Sequence, residues 1–198
     1  MTDQNITPAK KAAILDAALD LIAVHGFHGT PTSRIAREAG AGVGSIYRYF
    51  RSKDELIQEL FDHVAQRMSR EVTKDIESSA SIRDQFIRIG TNVFVYLAGH
   101  PKVAAFIEQY FNSPYGISHK RDAILNEKSG RKDEHPLNDV LTQAREQGLI
   151  KDFTFHILGA LSFGPIVLLV RDIHAGLIDM DDATVKRVIE ACWDSIRR

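Results

Sequence analysis

The 198-residue sequence predicts an all-α protein of about nine helices, with a small N-terminal head on a larger body. Apolar residues recur at helical spacing along nearly the whole chain, and no run alternates as a half-buried strand would. Helix-start signals, a Ser, Thr or Asp followed by Pro or acids, punctuate it at intervals of one helix length. Charge is uneven: residues 31–53 hold five basic side chains (Arg34, Arg37, Arg48, Arg51, Lys53) against Glu38, while the whole chain has net charge −1. A basic head on an acidic body suggests a polyanionic partner at one end.

The elements follow in order. Thr7-Pro8 is a cap with proline at the first helical position. It opens a helix with the stripe Ile14, Leu15, Ala18, Leu21 and Ile22, stopped by Gly26. Thr30-Pro31 repeats the signal for a second helix, and a third begins near Gly42 or Val43. Ser52-Lys53-Asp54-Glu55 reads as a capping box opening a helix over 52–75, through Leu56, Leu60, Val64 and Met68. Ser81 to Asp84 starts a fifth helix with Ile82, Phe86, Ile89, Val93 and Leu97 on one face. Its second half, VFVYLA, is apolar all round, as a central buried helix would be. His100-Pro101 opens a sixth. Residues 112–135, polar and broken by Pro114, Gly116 and Gly130, read as a mobile loop. Pro136 opens a seventh helix that Gly148 closes, an eighth spans 152–174, and a ninth runs from Asp181-Asp182 to the end.

The stretch IAREAGAGVGSIYRYF, residues 35–50, holds two helical pieces too short to be stable alone, joined at Gly40-Ala41-Gly42. Two short helices at a sharp angle suit a DNA reader: one enters a groove about 12 Å wide while the other braces it and touches the backbone. Ile35, Ala36, Ala39 and Ile46 would face inward. Thr30, Thr32, Ser33, Arg34, Gly42, Val43, Gly44, Ser45, Arg48 and Tyr49 remain for outside contacts. Any αα-corner resembles this pattern, so the motif by itself is weak evidence.

The wider stretch 26–56, GFHGTPTSRIAREAGAGVGSIYRYFRSKDEL, resembles the N-terminal domain of the tetracycline-repressor (TetR/AcrR-type) family of bacterial regulators. The matching positions are Gly26-Phe27, Thr30, Ile35-Ala36, Ala39-Gly40, Gly44-Ser45-Ile46-Tyr47, Phe50, and Ser52-Lys53 with Leu56. The resemblance implies a three-helix helix-turn-helix DNA-binding domain over 7–53, with the motif itself at 31–50. It also implies a helical ligand-binding and dimerisation domain over 54–198, with the 52–75 helix as connector. It further implies phosphate contacts at Tyr47 and Lys53. The Tyr47 ring can also pack inward while its hydroxyl faces out. Arg48 and Tyr49 are the base-reading candidates. Ala41-Gly42 departs from the family's usual Val-Ser, which removes a hydroxyl at 42. Val43 would touch a thymine methyl or be a tolerated surface apolar group. His25 and His28 flank Gly26-Phe27, and loop histidines are a better reading there than a metal pair.

For the body, the resemblance implies a small-molecule effector and a homodimer on palindromic operator DNA. Asn92, Phe94, Tyr96, Phe106, Gln109, Tyr110, Phe111, His156 and Phe163 are the pocket candidates, suiting a partly apolar effector; core packing is the competing reading for each aromatic. Leu158, Gly159, Ser162, Val167, Val185, Val188, Ile189, Cys192 and Ile196 are the candidates for a four-helix dimer interface.

Other classes have less support. The apolar stretch 153–170 holds His156 and Gly164-Pro165, so it reads as a buried helix rather than a membrane span. One cysteine, Cys192, allows no internal disulfide, which suits a reducing cytoplasm. HExxH, P-loop, GxSxG and paired-Cys motifs are lacking, so neither an enzyme nor a metal or cofactor site is expected. A DNA-binding protein governed by a protein partner remains a separate reading.

Overall fold

The computed structural model describes residues 7–77, 79–128 and 136–198. Its helices are α1 (Pro8–His25), α2 (Thr32–Glu38), α3 (Val43–Tyr49), α4 (Lys53–Val72), α5 (Ile82–Gly99), α6 (Pro101–Phe111), α7 (Pro114–Lys128), α8 (Pro136–Glu146), α9 (Phe155–Ser162), α10 (Gly164–His174) and α11 (Asp182–Ile196). Among the described residues, extended pairing is limited to one isolated bridge, Ile150 to Arg197.

Side chains fix most of the starts that the sequence signals. Thr7 Oγ1 accepts from Lys10 N at 3.3 Å, Ser52 Oγ from Glu55 N at 3.1 Å, Ser81 Oγ from Asp84 N at 3.1 Å, and Asp181 Oδ1 from Thr184 N at 2.8 Å. The Thr184 hydrogen bonds hold the Asp181 carboxyl below its ordinary range. Two starts differ in detail. Glu55 turns back to the Arg51 amide rather than to that of Ser52, so the capping box is one residue wide of its usual form. The second helix is capped at Pro31, with no side-chain bond, one residue later than the Thr30 signal suggests.

α5 is the central helix, packed against α4, α6, α8, α10 and α11. The stripe Ile82, Phe86, Ile89, Val93 and Leu97 is buried as the spacing requires. Val95 is 62% exposed, so the second half of α5 is not enclosed all round. α4 stops at Val72 rather than 75. The Thr73 hydroxyl takes the Ser69 carbonyl, Asp75 turns left-handed at φ 58°, and Asn92 Nδ2 donates to the Val72 and Lys74 carbonyls.

Two long expectations are corrected. Residues 114–128, read from sequence as loop, form α7; the remainder of that stretch, 129–135, lies outside the described residues. Pro114 is a helix opener here, not a breaker. Gly116 serves a steric need: a Cβ on it would lie 2.3 Å from the Tyr110 carbonyl oxygen and 2.5 Å from the Phe111 Cα. The start of α7 is thus pressed against the end of α6, and Tyr115 fixes it by packing on Phe27 and donating to Asp54 Oδ1 at 2.7 Å.

The expected single helix over 152–174 is two, α9 and α10, broken at Phe163-Gly164. Pro165 has no amide to give the Leu161 carbonyl, and Ser195 Oγ from α11 donates to that oxygen at 3.2 Å instead. Nor is the segment buried all round. Leu158, Ser162, Ile166 and Val170, every fourth residue, are at 0% exposure, while Ile157, Leu161 and Leu168 stand 38–48% exposed. By length and composition Phe155–His174 is apolar enough to cross a membrane, and most of it is not buried within the single chain.

Gly116→Ala should destabilise the protein by roughly 1–3 kcal/mol, because backbone atoms rather than a flexible side chain oppose the new methyl. Thermal denaturation of the variant beside wild type measures it.

Candidate nucleic-acid interface

α2 and α3 form a corner closed on the inside by Ile35, Ala36, Ile46 and Phe50, each at most 1% exposed, with Ala39 partly buried beside them. Each such isoleucine contributes about 1.5–3 kcal/mol, which lets two seven-residue helices persist. Gly40 makes the corner. At φ +59° it lets its own amide reach the Arg37 carbonyl and the Ala41 amide reach that of Ala36, the paired bonds of a Schellman turn. Gly42 caps α3 with bare backbone, as the departure from Val-Ser implies.

The outer face of α3 presents Gly42, Val43, Gly44, Tyr47 and Arg48, all exposed; Val43 is at 42% and Tyr47 at 53%. Ser45 is half-buried. On α2, Ser33 is exposed and Thr32 half-buried, with Thr32 Oγ1 3.3 Å from Tyr47 Oη. That hydroxyl pair joins α2 to α3 on the outside of the corner.

Several expected contact residues are buried or bonded within the fold. Thr30 is fully buried, its hydroxyl without a hydrogen-bond partner, so it has no surface to offer DNA. Tyr49 follows Ile46 by three residues and so shares its inner side. It is half-buried, and its hydroxyl accepts from the Thr7 amide at 3.1 Å, which ties α3 to the start of α1 and removes it from base reading. Lys53 is half-buried, its ammonium donating to the Phe27 carbonyl and pinning α4 to the turn after α1. Arg34 Nη2 donates to His25 Nε2 at 2.8 Å, so His25 serves this arginine rather than a pair with His28.

The nine pocket candidates divide. Asn92 and Gln109 spend their amides on backbone, Gln109 Nε2 on the Ala23 carbonyl at 3.1 Å. His156 is exposed, Tyr96 stacks on His100, and Phe163 packs on Phe86, which in turn meets Trp193. Phe106, Tyr110 and Phe111 do come together, with Phe61 stacked on Tyr110 at 4.2 Å and His119 beside them. Tyr110 Oη is buried and lacks a hydrogen bond of good geometry. Burial, then the Asp62 carboxylate, push its phenol up to about 12 against a smaller opposing effect of Gln58. Phe94 stands apart, on an open groove of about 670 Å³ between α5 and α11 that Arg83, Arg88 and Lys186 also line.

The dimer candidates divide as well. Leu158, Ser162, Ile189 and Ile196 are at 0% exposure in the single chain, and Cys192 and Val185 at 4% and 7%. They belong to the chain's own core. Burial also pushes the Cys192 thiol up, which suits packing rather than reactivity. Gly159, Val167 and Val188 are half-buried. On α9 and α10 the large apolar residues left exposed are Ile157, Leu161 and Leu168, with Ala160 and Gly164 between them.

Two family models cover most of the chain. Residues 14–60 match the one described as bacterial regulatory proteins, tetR family, and residues 81–197 match a tetracyclin repressor-like C-terminal domain. The chain belongs to the TetR family. An uncharacterized HTH-type transcriptional regulator of Haemophilus influenzae is 26% identical over 185 residues, 93% of this chain and 94% of that protein. The fatty acid metabolism regulator protein of Bacillus subtilis is 28% identical over 144 residues, 72% of each. The structure of a putative transcriptional regulator TetR family protein from Vibrio parahaemolyticus is 29% identical, covers 96% of this chain and 99% of its own, and superimposes with a TM-score of 0.75. The protein is thus a DNA-binding transcriptional regulator of TetR type, not an enzyme.

Proposed function

We propose that the head, residues 7–53, reads operator DNA through the outer face of α3, and that the body, 54–198, dimerises and answers a small molecule by releasing DNA. One observation supports this above others: Val43, Gly44, Tyr47 and Arg48 stand exposed together on one side of a helix whose other side is locked into the corner. Arg48 and Val43 are the base readers. Thr32, Ser33, Arg34 and the Tyr47 hydroxyl take phosphates. Lys53 keeps two ammonium hydrogens beyond the one given to Phe27, enough for a phosphate as well.

The dimer face is the outer side of α9 and α10, with Ile157, Leu161 and Leu168 as its apolar contacts and Ala160 and Gly164 allowing close approach. A second copy, rather than lipid, covers this membrane-like stretch, because the core-facing residues Leu158, Ser162, Ile166 and Val170 already bind it to α5 and α11. Two heads then meet successive major grooves about 34 Å apart on a palindromic duplex.

The effector site lies in the aromatic cluster around Tyr110, where a buried hydroxyl remains for a ligand and where α6 runs from the body to α1. The name of the Bacillus subtilis relative, a fatty acid metabolism regulator protein, makes fatty acids the first compounds to test.

Duplexes selected from a random pool by the pure protein should be palindromic. Arg48→Ala should then lose about 1–3 kcal/mol at particular base pairs while leaving others alone; uniform weakening would assign Arg48 to the backbone instead. Leu161→Asp should give a folded monomer in sedimentation, without detergent, that no longer holds the full palindrome. Once an effector is found, a coupling of about 1–3 kcal/mol implies a 5–150-fold loss of operator affinity and an equal loss of effector affinity on operator. Calorimetric titration with and without the duplex checks this, and an effector affinity unchanged by DNA would refute release.

A further inference from the structure

The turn GFHG, residues 26–29, folds back on the end of α1. Gly26 at φ +69° stops the helix, and Gly29 comes so close that a Cβ there would lie 2.3 Å from the His25 carbonyl oxygen and 3.2 Å from the His25 Cβ. The last residue of α1 is therefore held at its backbone by its own turn. From that fixed base the His25 ring extends to Arg34, whose Nη2 donates to Nε2 at 2.8 Å. A guanidinium can only donate, so Nε2 carries the lone pair and the ring proton sits on Nδ1.

Neighbouring charges are engaged elsewhere. On α4, Lys53 bonds the Phe27 carbonyl and Asp54 accepts from Tyr115; on α6, Lys102 pairs with Asp20 at 2.9 Å. Among the described residues, Arg34 is the charged group bonded to the ring.

We propose that His25 is a positioning residue for Arg34: by accepting one guanidinium hydrogen bond it holds the arginine in one orientation on the first turn of α2, with its remaining N–H groups left to donate to DNA phosphate. The inference rests on the reading of this face as the DNA interface. The physical gain is preorganisation. An arginine carries large rotamer freedom, which it must give up when it clamps a phosphate. The bond to His25 removes part of that freedom before DNA arrives and uses one of five donors. Nothing in the sequence marks this pair, since nine residues and a turn separate its members.

The test is a set of four variants measured against a duplex selected from a random pool by the wild-type protein. Arg34→Ala should weaken binding. His25→Leu, which keeps bulk and removes the acceptor, should weaken it on the order of 3–10-fold, with thermal midpoint and oligomeric state unchanged, as suits an exposed side chain. His25→Gln, whose amide oxygen can accept from Arg34, should restore near wild-type affinity. In the Arg34→Ala background, His25→Leu should cost nothing further. If His25→Leu binds like wild type while Arg34→Ala does not, the positioning role is wrong and the interface reading stands. Equal losses for Gln and Leu, or a full loss in the Arg34→Ala background, also overturn it. If Arg34→Ala itself binds normally, the interface reading of Arg34 fails and the positioning role with it.

Discussion

The packing of Phe27 between head and body is the constraint on which the rest of this structure depends. Its ring meets Phe106 of α6 at 6.3 Å and Tyr115 of α7 at 5.4 Å between centroids, and its carbonyl takes the Lys53 ammonium at the start of α4. One residue in a four-residue turn therefore touches three helices, α4 at its root and α6 and α7 in the body. Around it α1 lies along α6, fastened by Gln109 to the Ala23 carbonyl and by Lys102 to Asp20. Further along, α1 meets α4 through Lys11 with Glu59 and Arg67 with Asp16. These ion pairs lie at the surface, exposed or half-buried, and exposed pairs are individually worth at most about 1 kcal/mol. The packed rings, Phe106 fully buried and Phe27 and Tyr115 partly so, and the ammonium–carbonyl bond set the geometry, and the ion pairs follow it. The 52–75 helix is thus not alone in joining the two parts, as the sequence led one to expect; α6 reaches the head as directly as α4 does.

What the sequence revealed, and what it hid, has a physical pattern. Caps, the inner residues of the corner and the α5 stripe were legible because they depend on neighbours three or four positions away. Ile35, Ala36, Ala39 and Ile46 can be assigned inward from spacing, and three of them are fully buried with Ala39 partly so. Contacts that close across the fold left no such trace. Tyr49 to the Thr7 amide spans 42 residues, and Gln109 to Ala23 spans 86. Both residues looked free for ligands because their polar ends advertise function, while the partner that occupies them is a backbone atom with no sequence signature. The missed helix α7 has the opposite cause. Gly116 was read as a flexible breaker, but it is a glycine of close approach, and only the placement of α6 distinguishes the two.

The C-terminal helices show the same ambiguity of apolar stripes. Periodicity marks α9, α10 and α11 as rich in apolar surface. It could not divide that surface between the chain's own core and a partner. The residues chosen for a partner, Leu158, Ser162, Ile189 and Ile196, are the ones at the centre of the single-chain core. A wide stripe has its most regular positions taken by the chain's own core, and its flanks stay exposed in the single chain. Ile157, Leu161 and Leu168 are such flanks, each one residue from the core row or midway between two of its members.

The anchoring of the proposed DNA face now has a common element. Tyr49 is held by the first turn of α1, Arg34 by its last residue, and Lys53 by the turn that follows. α1 is a beam whose two ends locate α3, α2 and the root of α4. Because α6 packs along that beam, a ligand that shifts α6 need not act on any DNA-facing residue. Moving or tilting α1 against α6 redirects all three anchors together, and a duplex with fixed groove spacing answers a common rotation of the head more sharply than a change at one side chain. Such a mechanism requires the ligand to favour one seating of α6 over another, since equal affinity for both would shift nothing. Tyr110, the proposed effector contact, lies one turn from Phe106 on α6 and packs on Phe61 of α4, so it touches both helices that reach the head.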